Sequence, residues 1–305
     1  MTTSPKQPNW LTYFQATRPA FLSITAFACI LGFTTGSWRD INKLLSLVGL
    51  LLALIAHGAA NVINDYHDSL NGSDWQNTNR IYPFTGGSRL IQKNILSEHQ
   101  IKRLAIGMFI IVIAGGLFVA SFSSIHLLWI GVIGITIGWF YSAKPIALMS
   151  RGLWGEISLS MAWALITTGS YLLNHSNLNL KIMLLAMTFG IMVSTILFIN
   201  QIPDISADRQ AGKITLAVTS TTENLPKWYL GITLVAYMVL VGGILFRQID
   251  IDYGFGLITL LWHTAIAHQI SGNTNNPNII KSCIIQTILA AHLFAIILIT
   301  VNMLS

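Results

Sequence analysis

Residues 180–210 read LKIMLLAMTFGIMVSTILFINQIPDISADRQ, and two kinds of chemistry meet in them. Residues 180–200 form an apolar run with no charge after Lys181, long enough to cross a hydrocarbon core of roughly 30 Å as a helix. In the same helical register Asn200, Asp204 and Asp208 follow at i, i+4 and i+8, so their side chains fall within about 80° of helix surface. A membrane-crossing helix that ends in a one-sided acidic strip is the unit from which the rest of the chain is read.

The whole sequence agrees with its apolar half. Of 305 residues, 53% are hydrophobic and only 9% charged, and the mean hydropathy is +0.63, outside the range of water-soluble domains of this length. Nine apolar runs lie near 20–37, 44–63, 104–122, 125–143, 153–173, 180–200, 229–246, 253–270 and 282–303. An unpaired backbone amide in lipid costs several kcal/mol and no alternating strand pattern interrupts these runs. The expectation is therefore an all-α polytopic membrane protein, a bundle of nine transmembrane helices forming one domain over 1–305, with Trp10 to Arg18 as an interfacial helix. Met1 to Pro8 carries no basic-then-apolar leader, so no removable signal peptide is expected. Cys29 and Cys283 fall within or beside expected spans, without CxxC or metal-type spacing.

Basic residues are retained on the cytoplasmic side of a membrane. Counted by alternate loops, thirteen of the seventeen lysines and arginines, from Lys6 to Lys281, share one side, against Arg39, Lys43, Lys181 and Arg247 on the other. That places the N-terminus and the acidic loops in the cytoplasm and the C-terminus outside, in the cell (inner) membrane. The net charge of +6 is explained by such loops beside an anionic leaflet and calls for no nucleic acid.

Five of the eight aspartates occupy two segments. The first reads Asn61-Val-Ile-Asn64-Asp65-Tyr66-His67-Asp68-Ser-Leu-Asn71-Gly72-Ser73-Asp74. On a helix Asn61, Asn64, Asp65 and Asp68 share an arc of about 100°, and Gly72 can end the helix left-handed so that Asp74 turns back toward them. The second is the Asn200, Asp204, Asp208 strip. One such segment reads equally well as a solvated helix end with capping aspartates, but two in matching positions disfavour that. Clustered carboxylates at a membrane boundary repel unless a cation neutralises them, and hard oxygen ligands select magnesium or calcium. Magnesium takes one or two carboxylates and completes its shell with phosphate oxygens, which suits two acidic loops facing a diphosphate.

These residues resemble the UbiA-type intramembrane prenyltransferases, which carry an N-D-x-x-D type motif after the second helix and a D-x-x-x-D motif after the sixth. The resemblance spans almost the whole chain. Asn64-Asp65-Tyr66-His67-Asp68 with Gly72-Ser73-Asp74 is most similar to the branch that prenylates 1,4-dihydroxy-2-naphthoate in menaquinone synthesis. Arg18-Pro19, Gly86-Gly87-Ser88-Arg89, Arg151-Gly152-Leu153-Trp154-Gly155-Glu156 and Asp208-x3-Gly212-Lys213-x-Thr215 are similar to it too. Arg80-Ile-Tyr-Pro-Phe-Thr departs from that branch, which often has Gly-Pro soon after the arginine. The resemblance implies magnesium-dependent transfer of a polyprenyl group from its diphosphate to a small aromatic acceptor, within the lipid bilayer. Asp68, Asp74, Asp204 and Asp208 would be the metal ligands, two ions bridging the diphosphate. Asn64, Asp65 and Asn200 would orient them or contact the diphosphate, as would, less directly, Asn61.

Arg80, Lys144, Arg209 and Lys213 lie on the same expected membrane face, where fixed positive charge would hold the diphosphate. Lys144 stands out, because Trp139-Phe140-Tyr141 beside it offers aromatic faces to an allylic carbocation. Asp68, Asp204, Lys144 and Tyr141 are accordingly the expected catalytic residues, although Trp139 also suits an ordinary interfacial aromatic belt. His57, His263, His268 and His292 suggest hydrogen bonds between helices before ligation, since His263 and His268 are turned about 140° from one another. Other acceptors, such as 4-hydroxybenzoate or homogentisate, remain alternatives, and a cation-coupled transporter is the non-enzyme rival. The single contiguous acidic run of CDP-alcohol phosphotransferases is lacking.

Overall fold

The structure, a computed structural model, describes residues 8–36 and 38–305. Lys6, most of the N-terminal stretch and the last residue of the first expected span lie outside the described residues. Twelve α-helices are present among the described residues: α1 Trp10–Ala16, α2 Leu22–Thr34, α3 Lys43–Asn71, α4 Ser73–Gln76, α5 Glu98–Ala120, α6 His126–Phe140, α7 Trp154–Leu172, α8 Leu180–Gln210, α9 Leu216–Thr219, α10 Leu225–Leu245, α11 Ile258–Ile270 and α12 Pro277–Leu304. The nine longest of these occupy the nine apolar runs, and α1 occupies the expected interfacial segment.

Five helices, α3, α5, α8, the one ending at Leu245 and α12, are long and apolar enough to cross a membrane alone. A sixth span results if α1 and the Pro19–Thr34 helix, bent by 54° at their junction, are taken together. The others fall short for plain reasons. At 1.5 Å per residue α6 and α11 are only about 20 Å long, and α7 is diluted by Glu156 and a series of serines and threonines.

Each long helix packs on the next, α2 on α3, α3 on α5, and so on to α11 on α12, and α12 returns to α2 to close the ring. Small residues let the central helices approach, as expected where packing rather than water drives association. A Cβ at Gly190 of α8 would stand 2.2 Å from the Ser160 carbonyl of α7, and one at Gly32 of α2 would stand 2.3 Å from the Thr167 carbonyl. The main core, including Phe189, Met192, Tyr237 and Phe294, lies where α8, α10 and α12 meet. Large apolar side chains such as Leu51, Ile110, Phe118, Trp129, Leu261 and Leu289 are left facing outward, the surface a lipid-facing bundle requires.

Two helices run well past their apolar stretches. α3 continues to Asn71 and α8 to Gln210, carrying their acidic strips as helix. α3 stops at Gly72, whose φ of 87° is left-handed, and α4 begins at once. Residues 151–152 (β1) pair in parallel with residues 214–215 (β2), joining the loop after α6 to the loop after α8. The loops after α3, α6 and α8 thus gather at one end of the bundle.

Three of the intramembrane histidines make hydrogen bonds between helices. His57 Nδ1 meets Thr25 Oγ1 at 2.8 Å, His263 Nδ1 meets the Tyr229 hydroxyl at 2.8 Å, and His292 Nε2 meets Ser23 Oγ at 2.9 Å.

Candidate active site

The acidic strips of α3 and α8 face each other across a cavity of about 210 Å³. Asn61, Asn64 and Asp68 of α3, Asp74 of α4, and Asn200, Asp204 and Asp208 of α8 all line it. Helical register explains the grouping on each helix. The meeting of the two strips is tertiary, and two side-chain links span it. Lys213 Nζ stands 2.7 Å from Asp68 Oδ1 and 3.3 Å from Asp208 Oδ1. Asn77 Nδ2 donates to Asp204 Oδ1 at 2.6 Å.

Asp65 sits behind the cavity wall. It pairs with the Arg18 guanidinium and accepts a hydrogen bond from the Ser88 backbone N–H at 3.0 Å. Arg18 also donates to Asn64 Oδ1 at 2.9 Å, and Asn61 Nδ2 donates to the Thr17 carbonyl at 3.0 Å. The junction of α1 and α2 is thereby fastened to the strip of α3. The Gly86-Gly87 loop folds over the acids. Arg89 holds it by donating to the carbonyls of Asp74 at 2.8 Å and Asn77 at 2.9 Å. Gly87, at φ 66°, lies so near that a Cβ there would be 2.7 Å from Asp74 Oδ2.

Five carboxylates, Asp65, Asp68, Asp74, Asp204 and Asp208, outnumber the two cations paired with them, Arg18 and Lys213. Burial alone would lower the Lys213 ammonium, but Asp68 and Asp208 hold it above the ordinary lysine range. Burial, reinforced by Asp68 and Asp65, pushes the Asp74 carboxyl from 3.8 up to about 8. Asp74 Oδ2, Asn77 Oδ1 and Asn200 Oδ1 are buried without a hydrogen-bond partner. Surplus negative charge and orphaned hard oxygens fit a hard divalent cation. Among the described residues no three acidic, histidine or cysteine side chains converge as a ready-made metal site. Each ion would then have few protein ligands and take further oxygens from a phosphate, as magnesium does.

Beneath this polar mouth the cavity turns apolar, lined by Phe21, Ile24, Leu159, Trp163 and Ile196. Tyr141 lines the cavity where α6 ends, its hydroxyl buried and unpartnered.

The basic residues divide. Lys213 is only 5% exposed and lies inside the site. Arg80 lies beside it, 3.5 Å from the Gly87 carbonyl and stacked over Tyr82, and does not line the cavity. Lys144 and Arg209 are brought elsewhere. Lys144 is exposed on the turn after α6, whose carbonyls at Pro145 and Ile146 are gripped by Arg151. Arg209 is exposed and donates to the Val218 carbonyl at 3.2 Å. Neighbouring aromatic residues in sequence do not set the direction in which a turn aims its lysine.

Sequence reasoning did not single out Asn77, or Arg18 as a site residue. Arg18 meets partners 46 and 47 residues away, Asn77 one 127 residues away, and neither lies in a periodic pattern. Glu156 is a third case. It is buried and accepts from Gln201 Nε2 at 2.8 Å, while Gln201 Oε1 accepts the Ala217 N–H at 3.1 Å.

Comparison with known proteins places this architecture. The model of the UbiA prenyltransferase family matches residues 22–300. The 1,4-dihydroxy-2-naphthoate octaprenyltransferase of Bacillus subtilis is 28% identical over 79% of this chain and 76% of its own length. That of Haemophilus influenzae is 30% identical over 68% of each chain. A UbiA homolog from Archaeoglobus fulgidus, solved bound to DMAPP and Mg2+, has the same fold, with a TM-score of 0.67 over 95% of this chain and 99% of that one at 16% identity. The chain belongs to the UbiA prenyltransferase family and is an integral membrane prenyltransferase.

Proposed function

We propose that this member of the UbiA family transfers a polyprenyl group from its diphosphate to 1,4-dihydroxy-2-naphthoate, in a magnesium-dependent reaction of menaquinone synthesis. The observation that carries the chemistry is the meeting of two remote acidic strips, with Lys213 between Asp68 and Asp208, above an apolar cavity. The acceptor is supported by the names of the relatives, which are 26–30% identical.

In this reading Asp68, Asp74, Asp204 and Asp208 hold two magnesium ions, and Asn61, Asn64 and Asn200 turn amide groups toward the diphosphate. Bound there, magnesium supplies the charge that stabilises the departing diphosphate. Lys213, already buried among the acids, donates to the same oxygens, and Arg80 stands at the rim as a further cation. Asp65 acts through Arg18 and the Ser88 N–H, fixing the loop that closes over the site. Tyr141 turns its ring toward the allylic carbon, where a π-face favours developing positive charge. The apolar lower cavity keeps water from the carbocation and takes in apolar parts of both reactants. The ring carbon of the acceptor then bonds to the allylic carbon, and loss of its proton or carboxylate restores aromaticity. The basic-loop count supports a polar mouth opening to the cytoplasm, with the N-terminus inside and the C-terminus outside.

Purified protein in detergent with magnesium, a polyprenyl diphosphate and a panel of aromatic acceptors tests this. Diphosphate release with a prenylated naphthoate product, identified by mass, is expected. A product only with another ring would reassign the acceptor. No product and no diphosphate release with any would remove the function.

A further inference from the structure

His57 is 8% exposed, lines the cavity, and has a use for only one of its ring nitrogens. It lies on the same face of α3 as Asn61, Asn64 and Asp68, and seven residues before Asn64 puts it about 10 Å deeper along the helix. Ile24 from α2 and Leu159 and Trp163 from α7 line the same cavity, and the Arg18 guanidinium is within electrostatic reach of the ring. Nδ1 is taken by Thr25 Oγ1 at 2.8 Å. The ring meets Trp163 edge to face, centroids 4.9 Å apart at 82°. Nε2 has no hydrogen bond among the described residues, and it is not sealed in the protein as the orphaned Nε2 of His263 is. It is therefore open to the cavity.

A hydrogen bond between α2 and α3 accounts for Nδ1 and leaves Nε2 without a purpose. A polar atom held in an apolar cavity costs free energy until a ligand satisfies it. The prenyl chain has no polar atom to offer. The diphosphate belongs with the acids and Lys213, well above. Of the reactants, only the aromatic acceptor brings a polar group to this depth, and Trp163 offers a flat wall beside it.

We propose that His57 recognises the acceptor, its Nε2 hydrogen-bonding a ring hydroxyl while Thr25 fixes the imidazole at Nδ1. This rests on the proposed transfer to a hydroxylated aromatic ring, and makes His57 a specificity-determining residue for it. The two helices that supply the pair, α2 and α3, thereby set which ring is accepted.

The test is the ratio of kcat/KM for a dihydroxylated acceptor to that for its methyl ethers, measured for wild type, His57→Leu, His57→Gln and Thr25→Val. In the wild type the ratio should be about tenfold or more, because a buried polar group left unpaired discriminates strongly. It should fall toward one in His57→Leu, stay high in His57→Gln, which keeps a hydrogen-bonding group, and fall partway in Thr25→Val. KM for the prenyl diphosphate should not follow these changes. An unchanged ratio in His57→Leu, or an equal loss for both acceptors and for the diphosphate KM, overturns the assignment of His57 while the transfer reaction stands. A wild type that prenylates no hydroxylated ring overturns both.

Discussion

Asn77 donates a hydrogen bond to Asp204 at 2.6 Å, joining the loop after the first acidic strip to the heart of the second across 127 residues of sequence. With Lys213 it is what makes one site of two motifs. Its own Oδ1 is buried without a partner, in a side chain that lines the same cavity, so Asn77 both ties the halves and leaves an unsatisfied oxygen beside whatever binds between them.

Asn77→Ala should therefore weaken diphosphate binding, not the chemistry alone. Loss of one hydrogen bond to a charged group is worth about 1.5–3 kcal/mol, so kcat/KM for the prenyl diphosphate should drop roughly ten- to hundredfold. Asn77→Asp, which adds a sixth carboxylate, should be worse. Steady-state kinetics decide, and an unaltered KM would count against the link.

Lys213 neutralises Asp68 and Asp208 where no metal does. Lys213→Met leaves two buried carboxylates unpaired, and breaking a buried pair costs about 3–5 kcal/mol. Thermal unfolding in detergent without magnesium should move to lower temperature, and millimolar magnesium should restore much of the loss. A variant as stable as wild type in chelator would show that the ammonium does not hold the strips.

How much of this was legible in the sequence differs residue by residue. Positions of the nine long helices follow from hydropathy, because lipid requires long unbroken apolar runs. The ends of α3 and α8 do not, since Asp65, Asp68, Asp204 and Asp208 look like loop to a hydropathy window while they continue the helix. Only their 3.6-residue spacing shows it, and that spacing also grouped the cavity-lining side of each strip. Gly72 marks its turn through its own chemistry. Asn77 carries no local signal, and the motifs that contain Arg18 and Glu156 do not show what those side chains bind, because their partners come from other helices. Lys144 is the converse, a residue in a suggestive local setting whose turn carries it to the surface.

The loop over the acids gives a backbone test. Gly87 sits at φ 66°, and a Cβ would press on Asp74 Oδ2 at 2.7 Å and Asp65 Oδ1 at 3.0 Å. The left-handed conformation alone costs about 1–2 kcal/mol for a residue with a Cβ. Gly87→Ala should lower kcat/KM severalfold or more and speed proteolytic cleavage between residues 82 and 95, with the bundle intact by circular dichroism. An equally active, equally resistant variant would mean that the loop does not close on the site.

Asp74 predicts a pH dependence. Its carboxyl is raised from 3.8 to about 8 by burial and by Asp68 and Asp65, so without metal it keeps its proton at neutral pH, and a bound cation must displace that proton. Apparent magnesium affinity should rise with pH between about 6 and 8 and level off above. The metal-free protein, holding a proton that the unfolded chain has lost, should lose stability over pH 4 to 8 from this group. In Asp74→Asn the slope of affinity against pH should flatten. Calorimetry at several pH values reads it, and an unchanged slope would exclude Asp74 from the metal's surroundings.

Calorimetry of a non-reactive prenyl diphosphate analogue with magnesium, on wild type, Asp68→Ala, Asp204→Ala and the double variant, asks whether the two motifs act as one. Groups that grip a single ligand together are not additive when removed. Either single substitution should weaken binding by roughly a hundredfold or more, and the double should be little worse than either. Independent losses that multiply in the double variant, or near-normal binding in one of the singles, would mean that the acidic strips of α3 and α8 do not hold one diphosphate between them.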